Sequence, residues 1–274
     1  MQKWKNWELV NHFAVLIRGR KNMNLYTPLR TIDSGYIGNP EKWSQYFKCL
    51  AEMLVFEGDA KDALVAATKV AGLKKHEINL SEAEARFKML FPKSYKDFVI
   101  AGGIEFINKL YTNVMCDGEI KAFYQLRNIN YFKNIAPNIY HPYFDSGLND
   151  LDITDDDYYR YDSYEYDDED STKADCPFIK KSNMNFLTIG FWDTDAYGFV
   201  TNEVTKDGEY ETWSFSPDNP GANRYRSFAE FFIFDRVRFL KYIKDEVEGN
   251  ELFDDKSTSL ILDVKILREQ WKPK

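Results

Sequence analysis

The segment from 145 to 175 constrains this chain more than any other stretch. It holds thirteen Asp or Glu residues against two basic ones, Arg160 and Lys173. An ionised carboxylate buried without a partner is too costly to serve as core, so such a run cannot build one. Any core must come from the stretches on either side, and the segment itself reads as a long exposed loop or insertion. Five tyrosines, Tyr158, Tyr159, Tyr161, Tyr164 and Tyr166, are interleaved with the acids. The segment carries a net −11, which leaves +3 on the remainder of a chain whose overall formal charge is −8.

The preceding stretch is dominated by helix signals. Gly, Pro and Asn cluster at 35–40 as a loop, after which Trp43, Phe47, Leu50 and Leu54 recur at helical spacing. Gly58-Asp59 breaks that helix, and an Ala-rich one over about 60–71 ends at Gly72. Ser81-Glu82-Ala83-Glu84 has the capping-box pattern, which predicts a helix opening at Ser81 and ending at Phe91-Pro92. A short helix at 94–101 is stopped by Gly102-Gly103. Residues 111–115 and 119–124 flank Asp117-Gly118, which predicts a β-hairpin, and Leu126, Ile129 and Phe132 suggest a short helical turn.

Beyond the acidic segment the period changes to that of strands. Residues 186–192, 197–201 and 210–215 read as a meander with turns at 193–196 and at Asp207-Gly208. Ser227-Phe228-Ala229-Glu230 is a second capping box. It opens a helix to about 248 that turns Phe228, Phe231, Phe232, Phe239, Tyr242 and Ile243 toward a core. Residues 260–267 fit a strand and a helix equally. With 274 residues, 44% of them apolar and 16% aromatic, a sizeable core is expected. The expected class is α+β: a central, mainly antiparallel sheet flanked by helices, with an N-terminal helical extension. The expected divisions are a partly helical extension at 1–77, an α+β domain at 78–250 carrying the acidic insertion, and a C-terminal segment at 251–274.

Patterns that carry chemistry are few. His12, His76 and His141 are scattered, without the spacing that puts two ligands on one turn or helix face. Cys49, Cys116 and Cys176 are odd in number and far apart, as expected of reduced thiols. The run from Asp193 to Gly198 begins like a calcium loop, but Val204 stands where the bidentate acid is required, so a β-turn is the expectation. Gly102-Gly103 lacks a phosphate-binding lysine, and no Ser sits in a nucleophile elbow. No catalytic residue, metal site or cofactor is therefore assigned. The longest early apolar run, 13–17, is too short to span a membrane, and no signal-peptide pattern precedes it. The chain is expected in the cytoplasm, bound to neither membrane nor nucleic acid, since phosphate binding needs clustered Lys and Arg.

One known family shares the order of these features. The carrying residues are 80–84, then 90–99 with Phe91-Pro92, then Gly102-Gly103, then 187–190, 195–198 and 226–232. In that order they resemble the SUKH superfamily, the Smi/Knr-type group of bacterial toxin-immunity proteins and fungal cell-wall regulators. The resemblance covers roughly 78–245. It implies an α+β domain without catalytic residues, and a non-enzymatic function: an immunity protein that binds and neutralises a cognate bacterial toxin, with a nuclease type favoured. The alternative is a regulatory or phage-defence scaffold with a cellular partner. Nuclease toxins tend to be basic, so an acidic inhibitor suits them electrostatically. The expected contact surface lies in the acidic segment. Asp155, Asp156, Asp157, Asp167, Asp168, Glu169 and Asp170 supply field, and Tyr158, Tyr159, Tyr161, Tyr164 and Tyr166 supply rigid contact area.

Overall fold

The computed structural model describes residues 33–54, 59–115, 122–135, 186–192, 195–215 and 223–233. Residues 33–39, without regular secondary structure, lead into α1, Pro40–Leu54. Pro40 fits a first helical turn, where its missing N–H costs nothing, and the Asn39 side chain accepts the Lys42 N–H at 2.8 Å as a cap. The 3.6-residue period buries Trp43, Tyr46, Phe47 and Leu50 together. In helix α2, Asp59–Val70, the described side chains bury only Ala63 and Ala67. These small residues let the backbone of Gly102 come so close that a Cβ there would lie 2.5 Å from the Ala67 carbonyl oxygen. Gly102 also has φ +82, so glycine is required twice over.

Helix α3 runs from Lys74 to Phe87, a full two turns earlier than the capping pattern at Ser81 predicts. Ser81 is mid-helix, and its hydroxyl donates to the Glu77 carbonyl at 2.9 Å. Glu84 reaches forward instead of back and accepts the Phe91 N–H at 2.8 Å. The burial of His76, Leu80 and Ala83 along one stripe continues the helix upstream of the apparent cap. Lys88, at φ 55, ends α3, and Phe91-Pro92 leads into α4, Lys93–Ile100.

Helix α5, Gly103–Met115, replaces the predicted first strand of the hairpin at 111–115. Its buried Ile104, Ile107 and Tyr111 lie three and four apart, so tertiary packing on a helical stripe overrides local strand propensity. The predicted partner strand at 119–124 is reduced, among the described residues, to one bridge between Phe123 and Gly190. Asn108 of α5 holds that bridge with its amide, which bonds both the N–H and the carbonyl of Phe123 at 2.8 and 2.9 Å. The turn Asp117-Gly118 lies outside the described residues. A 3₁₀ turn, Leu126–Asn128, strand β1, Asn130–Tyr131, and the single helical turn α6, Phe132–Ile135, follow.

The sheet is a five-stranded antiparallel meander in sequential order, completed by β2, Phe186–Trp192, β3, Asp195–Val204, β4, Tyr210–Phe215, and β5, Asn223–Tyr225. The α+β expectation holds, and the strands predicted at 186–192, 197–201 and 210–215 all form. Strand alternation sends Leu187, Ile189, Tyr197 and Phe199 toward the helices, where they join Trp43, Phe98 and Phe106 in one aromatic-rich core. Residues 43–51, within the stretch assigned to the extension, contribute to that core. Alternate positions on the other face, Phe186, Val200, Glu211, Trp213 and Arg224, are buried as well. Helix α7, Phe228–Phe231, starts as its capping box predicts: Ser227 Oγ accepts the Glu230 N–H at 3.1 Å. The Glu230 carboxylate reaches back to the Arg226 N–H at 2.7 Å. Phe228 and Phe232 then face Trp43 and Phe98. The continuation of that helix predicted to 248, the segment 145–175 and the ambiguous 260–267 fall outside the described residues.

Candidate functional site

All twelve residues assigned to partner contact, Asp155 to Asp157, Tyr158, Tyr159, Tyr161, Tyr164, Tyr166, Asp167, Asp168, Glu169 and Asp170, lie outside the described residues. His12, His141, Cys116 and Cys176 do too, while His76 is buried on α3 and Cys49 is half-buried on α1. The apparent calcium loop dissolves into secondary structure: Asp195 through Val204 form β3. Among the described residues no three His, Cys, Asp or Glu side chains come together in a way that could hold a metal ion. Nor is any helix among them long and apolar enough to cross a membrane.

Two features that sequence reading missed organise the described surface. The first is a groove of about 590 Å³ between α3, the start of α5 and the 3₁₀ turn. Leu73, Ile104 and Leu126 supply its apolar wall, and His76, Arg86, Glu105 and Arg127 its polar groups. Arg86 builds one side: its guanidinium donates to the carbonyls of Leu126, Arg127 and Ile129 at 2.9, 3.0 and 3.0 Å. Those bonds pin the 3₁₀ turn onto α3, which fixes Arg127 at the rim. The lining holds Lys75, Arg86 and Arg127 against Glu82 and Glu105, a near balance of charge.

The second feature is a buried polar cluster around the β3–β4 turn. The Asp207-Gly208 turn, with Gly208 at φ +89, carries two carboxylates two residues apart. Asp207 accepts the Ser34 N–H at 2.9 Å, the Ser34 hydroxyl, and the Thr205 hydroxyl at 2.7 Å. Burial pushes its pKa up, but these donors outweigh burial and hold it below the usual carboxylate value. Glu209 accepts the Ser94 N–H at 2.8 Å and the Ser94 hydroxyl at 2.5 Å. It thereby caps the first turn of α4 from another part of the chain. Burial raises the Glu209 pKa to about 7 despite the Ser94 donors, and the charge of Asp207 adds to the rise.

Alongside, Tyr36 donates to Asp97 at 2.9 Å and accepts the Trp43 indole N–H at 2.7 Å. Burial, and then the charge of Asp97, push the Tyr36 phenol well above its ordinary value. Lys93 bridges Asp97 at 2.5 Å and the Gly38 carbonyl at 3.0 Å.

Ser94 beside a carboxylate that titrates near neutrality has the composition of a nucleophile and its base. Access decides against that use: Ser94 is 0% and Glu209 1% exposed, so no substrate reaches the hydroxyl. The cluster does structural work, tying residues 33–39, α4 and the hairpin together. Compared with known proteins, the chain matches no family model, no curated sequence and no solved structure.

Proposed function

We propose that this chain is a cytoplasmic, non-enzymatic binding protein of the SUKH type that neutralises a cognate toxin, with a basic nuclease domain as its target. The observation that carries the reading is convergence. Phe91, Tyr95 and Phe98 of the Phe-Pro helix, Leu187 and Tyr197 of the meander, and Phe228 and Phe232 behind the Ser227 cap meet in one core. The features in the resemblance are thus parts of one α+β body. Supporting it, the buried carboxylates Asp97, Glu209, Glu211 and Glu230 are bonded to donors of the fold itself. Their chemistry is used to hold the scaffold. Charge for docking is concentrated in the acidic segment, whose net −11 suits a basic partner.

The test is affinity capture of the full chain from its source cell, followed by mass spectrometry and a nuclease assay on the captured partner. A basic toxin domain whose nuclease activity stops on addition of this chain is the expected result. Capture of a regulatory protein without toxin activity would replace the reading with that of a scaffold. Deletion of 152–170 should leave folding unchanged. It should slow partner association, and it should flatten the salt dependence that screening over about 10 Å at 0.1 M imposes. Unchanged association kinetics at low salt would make the segment a spacer.

A further inference from the structure

The geometry points to a pH-sensitive latch in which the β3–β4 turn clasps residues 33–39 and the start of α4, closed in acid and loosening as the pH rises through neutrality. The clasp begins with the sequence: an Asp-Gly turn followed at once by Glu places one carboxylate toward the strap and the next toward the helix. Asp207 takes both donors of Ser34, and Glu209 takes both donors of Ser94. The strap crosses the same place. Ser34, Tyr36 and Gly38 are bonded to Asp207, Asp97 and Lys93, which flank the Glu209–Ser94 contact on both sides.

Each packed element brings its charges to the balance. The hairpin supplies Asp207, whose negative charge acts directly on Glu209. The strap supplies Tyr36, whose phenol stays neutral in this range. Helix α4 supplies Lys93 and Asp97, whose charges offset each other at 2.5 Å. Helix α7 adds the Phe228 backbone N–H as a donor to Glu209, while its Glu230 is paired with Arg226. Ionised Glu209 is therefore a second negative charge beside Asp207, 1% exposed and supported by hydroxyl and amide donors. Hydrating that charge requires the clasp to open, and the strap, bonded to Asp207, Asp97 and Lys93 around it, is the segment that lifts.

The sign follows from linkage. A carboxyl whose pKa rises from 4.5 to about 7 on closure stabilises the closed form fully below the lower value. That stability is lost as the pH rises to the upper value. Between pH 6 and pH 8 the open fraction should grow about tenfold, with little further change above.

Amide hydrogen exchange on the full chain, normalised for intrinsic rates, tests this at residues 33–39 and 93–97. The expected result is that roughly tenfold loss of protection from pH 6 to pH 8, absent in Glu209→Gln. Protection that does not change with pH, or a pH step that survives in Glu209→Gln, overturns the latch. Should Glu209→Gln fail to fold, NMR titration of the wild-type Glu209 carboxyl decides. A midpoint near 7 supports the latch, and one within the ordinary glutamate range overturns it.

Discussion

Glu209 and Glu211 stand on either side of Tyr210, the first residue of β4, both buried, and the fold treats them in opposite ways. Glu211, on the sheet face away from the helices, meets the Arg224 guanidinium at 2.5 Å and accepts the Trp213 indole N–H at 2.8 Å. Glu209, at the helix-covered end, is held by an amide and a hydroxyl of Ser94, with a like charge beside it. A charged partner ties a buried carboxylate to a neighbouring strand, and removing that partner leaves an uncompensated buried charge. Neutral donors leave its stability contribution conditional on pH. The start of β4 therefore holds its two buried acids by partners of different kinds, an ion pair for Glu211 and neutral donors for Glu209.

The largest effect expected from breaking this contrast lies on the ion-paired side. Arg224→Ala removes the charged partner of buried Glu211, which should cost roughly 3–5 kcal/mol in urea denaturation. A cost under about 1 kcal/mol would mean that solvent readily reaches the far face. On the helix-covered face Phe232, at 0% exposure, packs on Trp43, Tyr46, Phe98 and Phe123. Phe232→Ala should cost about 3–5 kcal/mol by loss of contacts and creation of a cavity. Unlike disruption of the latch, that loss should be the same at pH 6 and pH 8, which separates packing from titration.

Local patterns made the helical and strand periods legible wherever one face is buried. Trp43, Phe47 and Leu50 gave α1 its stripe, Leu187 and Ile189 gave β2 its alternation, and Ser227 marked the start of α7. Two readings failed for one reason, that a local signal was outvoted by distant packing. Tyr111 and Thr112 have strand propensity and precede an Asp-Gly pair, yet Tyr111 belongs to a stripe begun at Ile104. Ser81 and Glu84 have cap spacing, yet α3 was already under way. The polar cluster had no local signature at all. Ser34 and Asp207 are 173 residues apart in sequence, and Ser94 and Glu209 are 115 apart. Only the Asp-Gly turn that presents the two acids could be read in advance, and nothing in its composition says which of them meets a charge.

The smallest expected effect is the one that sharpens the comparison most. Ser94 supplies two bonds to Glu209, and Ser94→Ala removes only the hydroxyl, leaving the backbone N–H at 2.8 Å in place. Bonds to an ionised acceptor are roughly twice as strong as those between neutral groups. Above the Glu209 pKa of about 7 the lost hydroxyl would have stabilised a buried charge; below it, a neutral carboxyl. The cost should therefore be about 1–3 kcal/mol at pH 8 and smaller at pH 6. Removing a donor that favours the ionised form also raises the closed-state pKa further, so the loss of stability with rising pH should extend to higher pH in this variant. Denaturation curves at the two pH values check both statements. Equal costs at pH 6 and pH 8 would mean that Glu209 does not change its charge in the folded protein over that range, and the distinction between the two acids at the start of β4 would then reduce to one of partners alone.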